Sequence, residues 1–336
     1  MKKKIFLAIF LALIIFIGIF YFLKENRDII SSDQKETVAK SEGIRFGFMT
    51  DIHCYSKQNK ELGQWELNWR CERPMNAFVD TLGFNSEVDF LIEGGDFIDG
   101  RDDRSVETFS SLKKLYDKAT VPKYHVMGNH ETRGFSKDKW LELTGHDKAY
   151  YFFDIKDYRL IVLDANFFLD VDNLKKDTSP EVESYSGRIN EDQYSWLEKV
   201  LGEAKDKNKI VFVHQPPIKS TTIKNGGVFS ERDRLGKILS ENNVLAVFSG
   251  HIEEMCSLEY DKVSYFSLKG VHKANRQLPV EHQLKDKGLF YEIRIDENKK
   301  INIEMYWREP NEEKYQKKLL EKSDFICNNE SALLSF

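Results

Sequence analysis

Cysteine is scarce in this sequence. Cys54, Cys71, Cys256 and Cys327 are the only four in 336 residues, and their spacing matches neither a zinc ribbon nor a C-x-x-C motif. In an exported chain Cys54 and Cys71 can oxidise as a pair, with buried free thiols as the alternative; the residues leave both open. An excess of one charge is also missing. Lys and Arg number 50 against 55 Asp and Glu, a net charge of −5, which supplies no global basic field for a nucleic-acid polymer. Lysine-rich stretches such as "EEKYQKKLLEK" read as a solvated helix face. There is no internal repeat and no low-complexity segment beyond one apolar N-terminal run. Apolar residues, in contrast, are plentiful: 41% hydrophobic and 13% aromatic content suffices for a substantial core and argues against a disordered chain.

The apolar run is "IFLAIFLALIIFIGIFYFL", Ile5 to Leu23, without a charge and preceded by Lys2, Lys3 and Lys4. At about 1.5 Å per residue it nearly spans a bilayer core of about 30 Å. It exceeds the usual signal-peptide apolar region, and no A-x-A site follows. The expectation is an uncleaved signal anchor over residues 1–28, a transmembrane helix with its lysines on the cytoplasmic side. The remainder then lies outside the cytoplasmic membrane, or is secreted if the segment is cleaved. Residues 29–43 read as a polar tether.

Beyond the tether, short apolar or β-branched runs recur, and most end at polar residues. "IRFGFMT" runs into Asp51, "VDFLIEGG" into Asp96, "PKYHVMG" into Asn129, "VLAVFSG" into His251, and "KIVFVH" ends at His214. These suit buried strands. Helix-like segments lie between them: Arg73–Leu82, Ser105–Lys118, Lys137–Leu143, Glu191–Lys205 and Glu231–Glu241, with Asn190 and Ser230 as N-caps of the last two. Tyr150–Ile155 and Arg159–Asp164 predict a hairpin, and the strand-like pieces after His251 end in another. The pattern predicts two mixed sheets packed together with helices outside, one domain over 44–310, and a terminal helix and tail over 311–336.

The strand-end residues form a chemical set: Asp51, His53, Asp96, Asn129, His130, His214 and His251. Carboxylate, imidazole and amide oxygen are ligand types for first-row divalent metals. Singly, an Asp after a strand is a turn residue and a lone His a hydrogen-bonded one. Their ordered recurrence after successive strands points to a metal centre.

In order, "DIH", "GGDFIDG", "GNHE", "VFVHQPP" and "SGHIE" resemble the calcineurin-like metallophosphoesterases, from Phe46 to Glu253. The family pattern is D-x-H, G-D-x-x, G-N-H-[DE], a later His and G-H-x-H. The resemblance implies a four-layer α/β/β/α sandwich with two metals at its edge. It implies that Asp51 and His53 bind the first metal, Asp96 bridges, and Asn129, His214 and His251 bind the second. His130 would protonate the leaving oxygen or stabilise the transition state, while a metal-bound hydroxide attacks phosphorus in line. Where the pattern has its last His, this sequence has Glu253, an oxygen ligand that favours Mn²⁺ or Fe²⁺ over Zn²⁺. Glu254 is expected to point elsewhere.

The loops choose the substrate. "GGDFIDG", "GNHETRGFS" and "AYYFFD" resemble the manganese-dependent ADP-ribose/CDP-alcohol diphosphatases and class III cyclic-nucleotide phosphodiesterases, a likeness that weakens after His251. A phosphodiesterase or nucleotide diphosphatase is therefore expected, acting on a small phosphoester. Arg70 and Arg133 are candidate anion clamps. Trp65, Trp69 and Phe135 would stack a base, line a headgroup pocket or simply pack. The alternatives are a broad phosphomonoesterase and a non-catalytic metal-binding module, the latter favoured only by Glu253.

Overall fold

The computed structural model describes residues 43–59, 63–101, 103–169, 175–177, 187–218, 229, 231–252, 254–271, 289–308 and 314–325. The apolar run, the tether up to residue 42, Ser230, Glu253 and Cys327 lie outside the described residues. Among those described, no helix is long and apolar enough to cross a membrane.

The chain enters through β1 (Ile44–Met49), a small hairpin β2 (Ser56–Gln58) and β3 (Trp65–Leu67), and helix α1 (Trp69–Phe78). Next come β4 (Phe90–Glu93), α2 (Ser105–Tyr116), β5 (Lys123–His125), α3 (Glu131–Gly134) and α4 (Lys137–Thr144). The hairpin β6 (Tyr151–Ile155) and β7 (Tyr158–Leu163) precedes a small ribbon, β8 (Phe167–Leu169) and β9 (Lys175–Asp177). Then follow α5 (Glu191–Gly202), β10 (Asn208–Val213), α6 (Arg232–Glu241), β11 (Val244–Ser249), β12 (Cys256–Tyr260) and β13 (Val263–Ser267). β14 (Phe290–Ile295), β15 (Ile301–Trp307) and β16 (Gln316–Leu319) end the described chain's strands.

Two six-stranded mixed sheets result, ordered β16-β15-β14-β1-β4-β5 and β12-β13-β11-β10-β7-β6. Alternation along each strand sorts the side chains into layers. Phe46, Phe48, Phe90, Ile92, Phe212 and Phe248 meet between the sheets. Leu91 turns outward to Phe78, Phe109 and Tyr116 of α1 and α2. Val211 and Val213 turn outward to Leu197 and Leu239 of α5 and α6. Each sheet is thus apolar on both faces, as strands β1, β4, β7 and β10 already read in sequence. The arrangement is the α/β one expected, two mixed sheets packed together with helices outside.

Several boundaries differ from the expectation. α1 starts at Trp69, not Arg73, because the Asn68 side chain caps the Arg70 amide at 2.9 Å. Pro74 sits inside the helix. Asn190 does cap α5, accepting from the Gln193 amide at 3.0 Å. α6 begins after Glu231, and no side-chain cap is made there. The region beyond 311, expected as a helix, contributes β16, paired antiparallel with β15. All four residues of "QKKL" are exposed. Charge suits an edge strand, which it shields from further pairing, as well as it suits a helix face. Cys54 and Cys71 are joined by a disulfide, Cα–Cα 5.3 Å, which ties the loop after His53 to the first turn of α1. Cys256 is disulfide-bonded as well.

Candidate metal centre

The polar set gathers where parallel strands end. Asp51 and His53 follow β1, Asp96 follows β4, Asn129 and His130 follow β5, His214 follows β10 and His251 follows β11. Backbone bonds join neighbouring loops within each sheet: Asp51 N–H to Gly95 C=O, 3.0 Å, and His53 N–H to Asp96 C=O, 2.9 Å, in one, and Gly250 N–H to His214 C=O, 3.1 Å, in the other. Asp51, His53, Asp96 and His251 all carry positive φ, at 50, 46, 55 and 69°. Such backbone is costly for non-glycine residues and persists where surrounding structure enforces it, commonly at functional sites.

Asp96 is the hub. Its Oδ1 accepts the His130 N–H at 2.8 Å. Its Oδ2 lies 3.1 Å from His214 Nε2, 3.7 Å from His53 Nε2 and 3.7 Å from His130 Nε2. Two groups of donor atoms therefore share Asp96: one with His53 and His130, the other with His214 and His251. Ligand atoms about 2.1 Å from one ion stand about 3–4 Å apart, so these separations fit divalent metal ions. The fully buried His214 supports this further. Its Nδ1 is 2.8 Å from the Gly94 C=O, which fixes the N–H there and leaves Nε2 a lone pair with no hydrogen-bond partner.

The remaining positions divide. Asn129 is buried, and its C=O accepts the Thr132 hydroxyl at 2.7 Å. Asp51 Oδ1 is 3.7 Å from His53 Nε2, yet both Asp51 oxygens accept the His251 N–H, at 3.1 and 2.9 Å. Arg133 Nη1 lies 2.8 Å from His130 Nε2, which places its guanidinium at the centre. Arg70 stands on the exposed first turn of α1, 5.5 Å from the Trp69 ring. Trp65 and Trp69 are partly exposed, whereas Phe135 belongs to the core. Glu254 is half-buried; burial raises its carboxyl and Lys269 opposes that.

Electrostatics follow from burial. Desolvation would raise the Asp96 carboxyl, but His214, His130 and His53 hold it well below the carboxylate range. Burial would lower His214, but Asp96 and Asp51 raise it to about 9, so a cation bound at Nε2 would displace the proton the two carboxylates otherwise hold there. His130 Nδ1 is 2.9 Å from the Asp99 C=O. With the proton on Nδ1, Nε2 faces the shared Asp96 oxygen.

Two acidic residues escaped the sequence reading. Glu131, the last letter of "GNHE", is fully buried and accepts the N–H groups of Asp96 at 3.1 Å, Ile98 at 3.1 Å and Gly128 at 2.8 Å. Glu93, the one charged letter of the buried strand "FLIE", accepts the Gly95 N–H at 3.0 Å and meets His125 Nδ1 at 3.0 Å. Burial lifts Glu93 to about 8 and drops His125 to about 3, so this pair is neutral near neutral pH. A charged letter in a buried strand was the available signal. Gly270 gave none: a Cβ there would stand 2.2 Å from the Asp51 Cβ.

Gly128 is equally tight, its added Cβ meeting Asp96 N at 2.2 Å and Asp96 Oδ1 at 2.3 Å. Gly128→Ala is expected to displace Asp96, cutting bound metal by about 10-fold or more while the fold persists. Metal analysis beside circular dichroism checks this; full metal content in the variant would refute it.

Comparison with known proteins agrees with this geometry. The model of the calcineurin-like phosphoesterase family matches residues 44–254. A probable glycerophosphodiester phosphodiesterase of Arcobacter nitrofigilis is 29% identical over 226 residues, 64% of this chain and 74% of that protein. The manganese-dependent ADP-ribose/CDP-alcohol diphosphatase of Arabidopsis thaliana is 26% identical over 209 residues, 52% of this chain and 67% of that protein. Among solved structures, a dimetal phosphatase from Danio rerio superimposes with a TM-score of 0.59 at 17% identity, covering 83% of this chain and 99% of that one.

Proposed function

Because this chain belongs to the calcineurin-like phosphoesterase family, and so is a metallophosphoesterase that hydrolyses phosphoester bonds, we propose that it cleaves phosphodiesters or nucleotide diphosphates at a dinuclear centre. The observation that carries this is Asp96, whose single Oδ2 faces both groups of imidazoles. The relatives named above act on glycerophosphodiesters and on ADP-ribose or CDP-alcohols. Both substrate types present phosphorus between two bridging oxygens, which supports a diester or diphosphate over a monoester.

Two divalent ions, when bound, would make water nucleophilic at neutral pH and neutralise the phosphoryl oxygens for in-line displacement. Manganese or iron(II) suits the proposed oxygen-rich set, with zinc as the alternative. In our assignment Asp51, His53 and Glu253 would hold one ion and Asn129, His214 and His251 the other, with Asp96 available to both. Protonated on both nitrogens, with Nδ1–H on the Asp99 carbonyl, His130 would give its Nε2 proton to the leaving oxygen and remain as the neutral Nδ1–H form. Arg133, now against that Nε2, swings to the phosphoryl group, and Arg70 serves the distal end of the substrate. Residues 5–23 would anchor the domain on the extracytoplasmic side; the uncharged run behind three lysines supports this.

The test is hydrolysis of ADP-ribose, a glycerophosphodiester and a phosphomonoester by the manganese-loaded chain, with Asn129→Ala as control and Glu253→His assayed in zinc. Diester or diphosphate turnover about 10-fold above monoester turnover, lost in Asn129→Ala, is the expected outcome. Monoester preference would overturn the substrate class. Unchanged metal use by Glu253→His would remove Glu253 from the ligand set.

A further inference from the structure

A second polar concavity lies at the other end of the sheet that carries His214 and His251. It has a volume of about 380 Å³ and is formed where β10, β11 and β13 begin. Those three strands run parallel, so their starts are remote from their metal-bearing ends. Lys209 and His214 are five residues apart on one strand, about 16 Å at about 3.3 Å per residue.

Its lining is cationic in a chain of net charge −5. Lys205, Lys207, Lys209, Lys262 and Lys299 line it, against Asp206 and Asp261. Asn208, Ser240 and Asn243 add amide and hydroxyl groups. Lys207 is committed to Asp154 at 3.0 Å, and Lys299 leans toward Asp157 at 3.9 Å. Lys209 differs. Only 4% of this residue is exposed, and among the described residues its ammonium makes no hydrogen bond or ion pair. Its neighbour across the ladder is Arg159, which is itself paired with Asp154. Burial lowers the Lys209 ammonium, Asp206 opposes that and Arg159 adds to it. Its stem is covered while its ammonium reaches the concavity, where an anion would be its first counter-ion. The adjacent turn presents Lys262 at φ 68°, next to Asp261 at φ 47°, a two-residue hairpin without glycine.

We propose that this concavity is an anion site, separate from the metal centre, that takes a phosphate group carried by a small molecule or by a lipid headgroup. Lys209, held by its covered stem, and Lys262, on the adjacent turn, supply the charge. Asn208, Ser240 and Asn243 supply neutral donors. Lysine ammoniums bind phosphate as point charges, and the volume suits a phosphate with a small substituent.

The test uses the full chain in neutral detergent, stripped of metal so that the catalytic end does not compete. Melting temperature is followed against inorganic phosphate. A separate arm repeats the melt against glycerophosphoglycerol, the water-soluble phosphodiester headgroup of phosphatidylglycerol. Wild-type protein should show a saturable rise in melting temperature with phosphate. Lys209→Met should melt at or above the wild-type temperature without phosphate, since it removes a desolvated charge, and should lose the rise. Lys262→Gln should weaken the response about 10-fold, and Asn129→Ala should keep it in full. A rise with glycerophosphoglycerol larger than with inorganic phosphate, lost in Lys209→Met, would assign the phosphate to a headgroup. A response to either ligand retained in Lys209→Met, or no response to either in wild type, would overturn the proposal. The metal-centre reading is untouched by either result, because Asn129→Ala is scored separately.

Discussion

Asp96→Asn is expected to lower phosphoester hydrolysis by about 10³-fold or more, the largest functional effect of any single change in this chain. The substitution preserves shape. Its Oδ1 still accepts the His130 N–H, now held at 2.8 Å, so the loop after β5 keeps its place. What disappears is the charge on Oδ2, the atom that stands 3.1–3.7 Å from the Nε2 atoms of His214, His53 and His130. An amide in that position offers one neutral oxygen to two ions and leaves its NH₂ facing imidazole lone pairs. Metal content should therefore fall along with turnover. Paired measurements of bound manganese and of turnover check this. A variant that retains full metal and a tenth of the activity would mean that Asp96 does not join the two groups.

Much of this centre was legible because each residue follows an apolar run, and a parallel strand delivers whatever follows it to one edge of the sheet. Asp51, Asp96, His214 and His251 were found this way without knowledge of the pairing. The helix α1 was less legible. Its start depends on the side chain of Asn68 and on the disulfide from Cys71 to Cys54, and neither has a periodic signature. The strand β16 was misread because "EEKYQKKLLEK" suits an exposed strand edge and a helix face equally; its pairing with β15 is a tertiary decision. The supporting residues were hidden for another reason. Glu93, Glu131 and Gly270 act through backbone groups of distant loops, so no local pattern announces them. Arg133 could be suspected from composition alone, but its place beside His130 follows from the short helix α3.

Glu131→Ala should carry the largest effect on stability. The side chain is fully buried and its two oxygens serve three backbone donors. Burial raises this carboxyl to about 7, and Asp96 and Glu93 push in the same direction. With alanine, the N–H groups of Asp96, Ile98 and Gly128 lose their acceptor in a space shut off from water. Each unsatisfied buried donor costs about 1–3 kcal/mol, so three give a loss of about 3–9 kcal/mol, against about 5–15 kcal/mol for a whole domain. Glu131→Gln should be intermediate. Its remaining oxygen can serve the two donors now sharing Oε2, while its NH₂ confronts the Ile98 N–H. Chemical denaturation of the metal-free proteins should give the order wild type, Gln, Ala, because without metal the backbone term stands alone. The same order should appear in metal affinity, since two of the three donors belong to Asp96 and to Gly128, which packs against it. If Glu131→Ala unfolds within about 1 kcal/mol of wild type, water must reach these amides and the cradle is not closed.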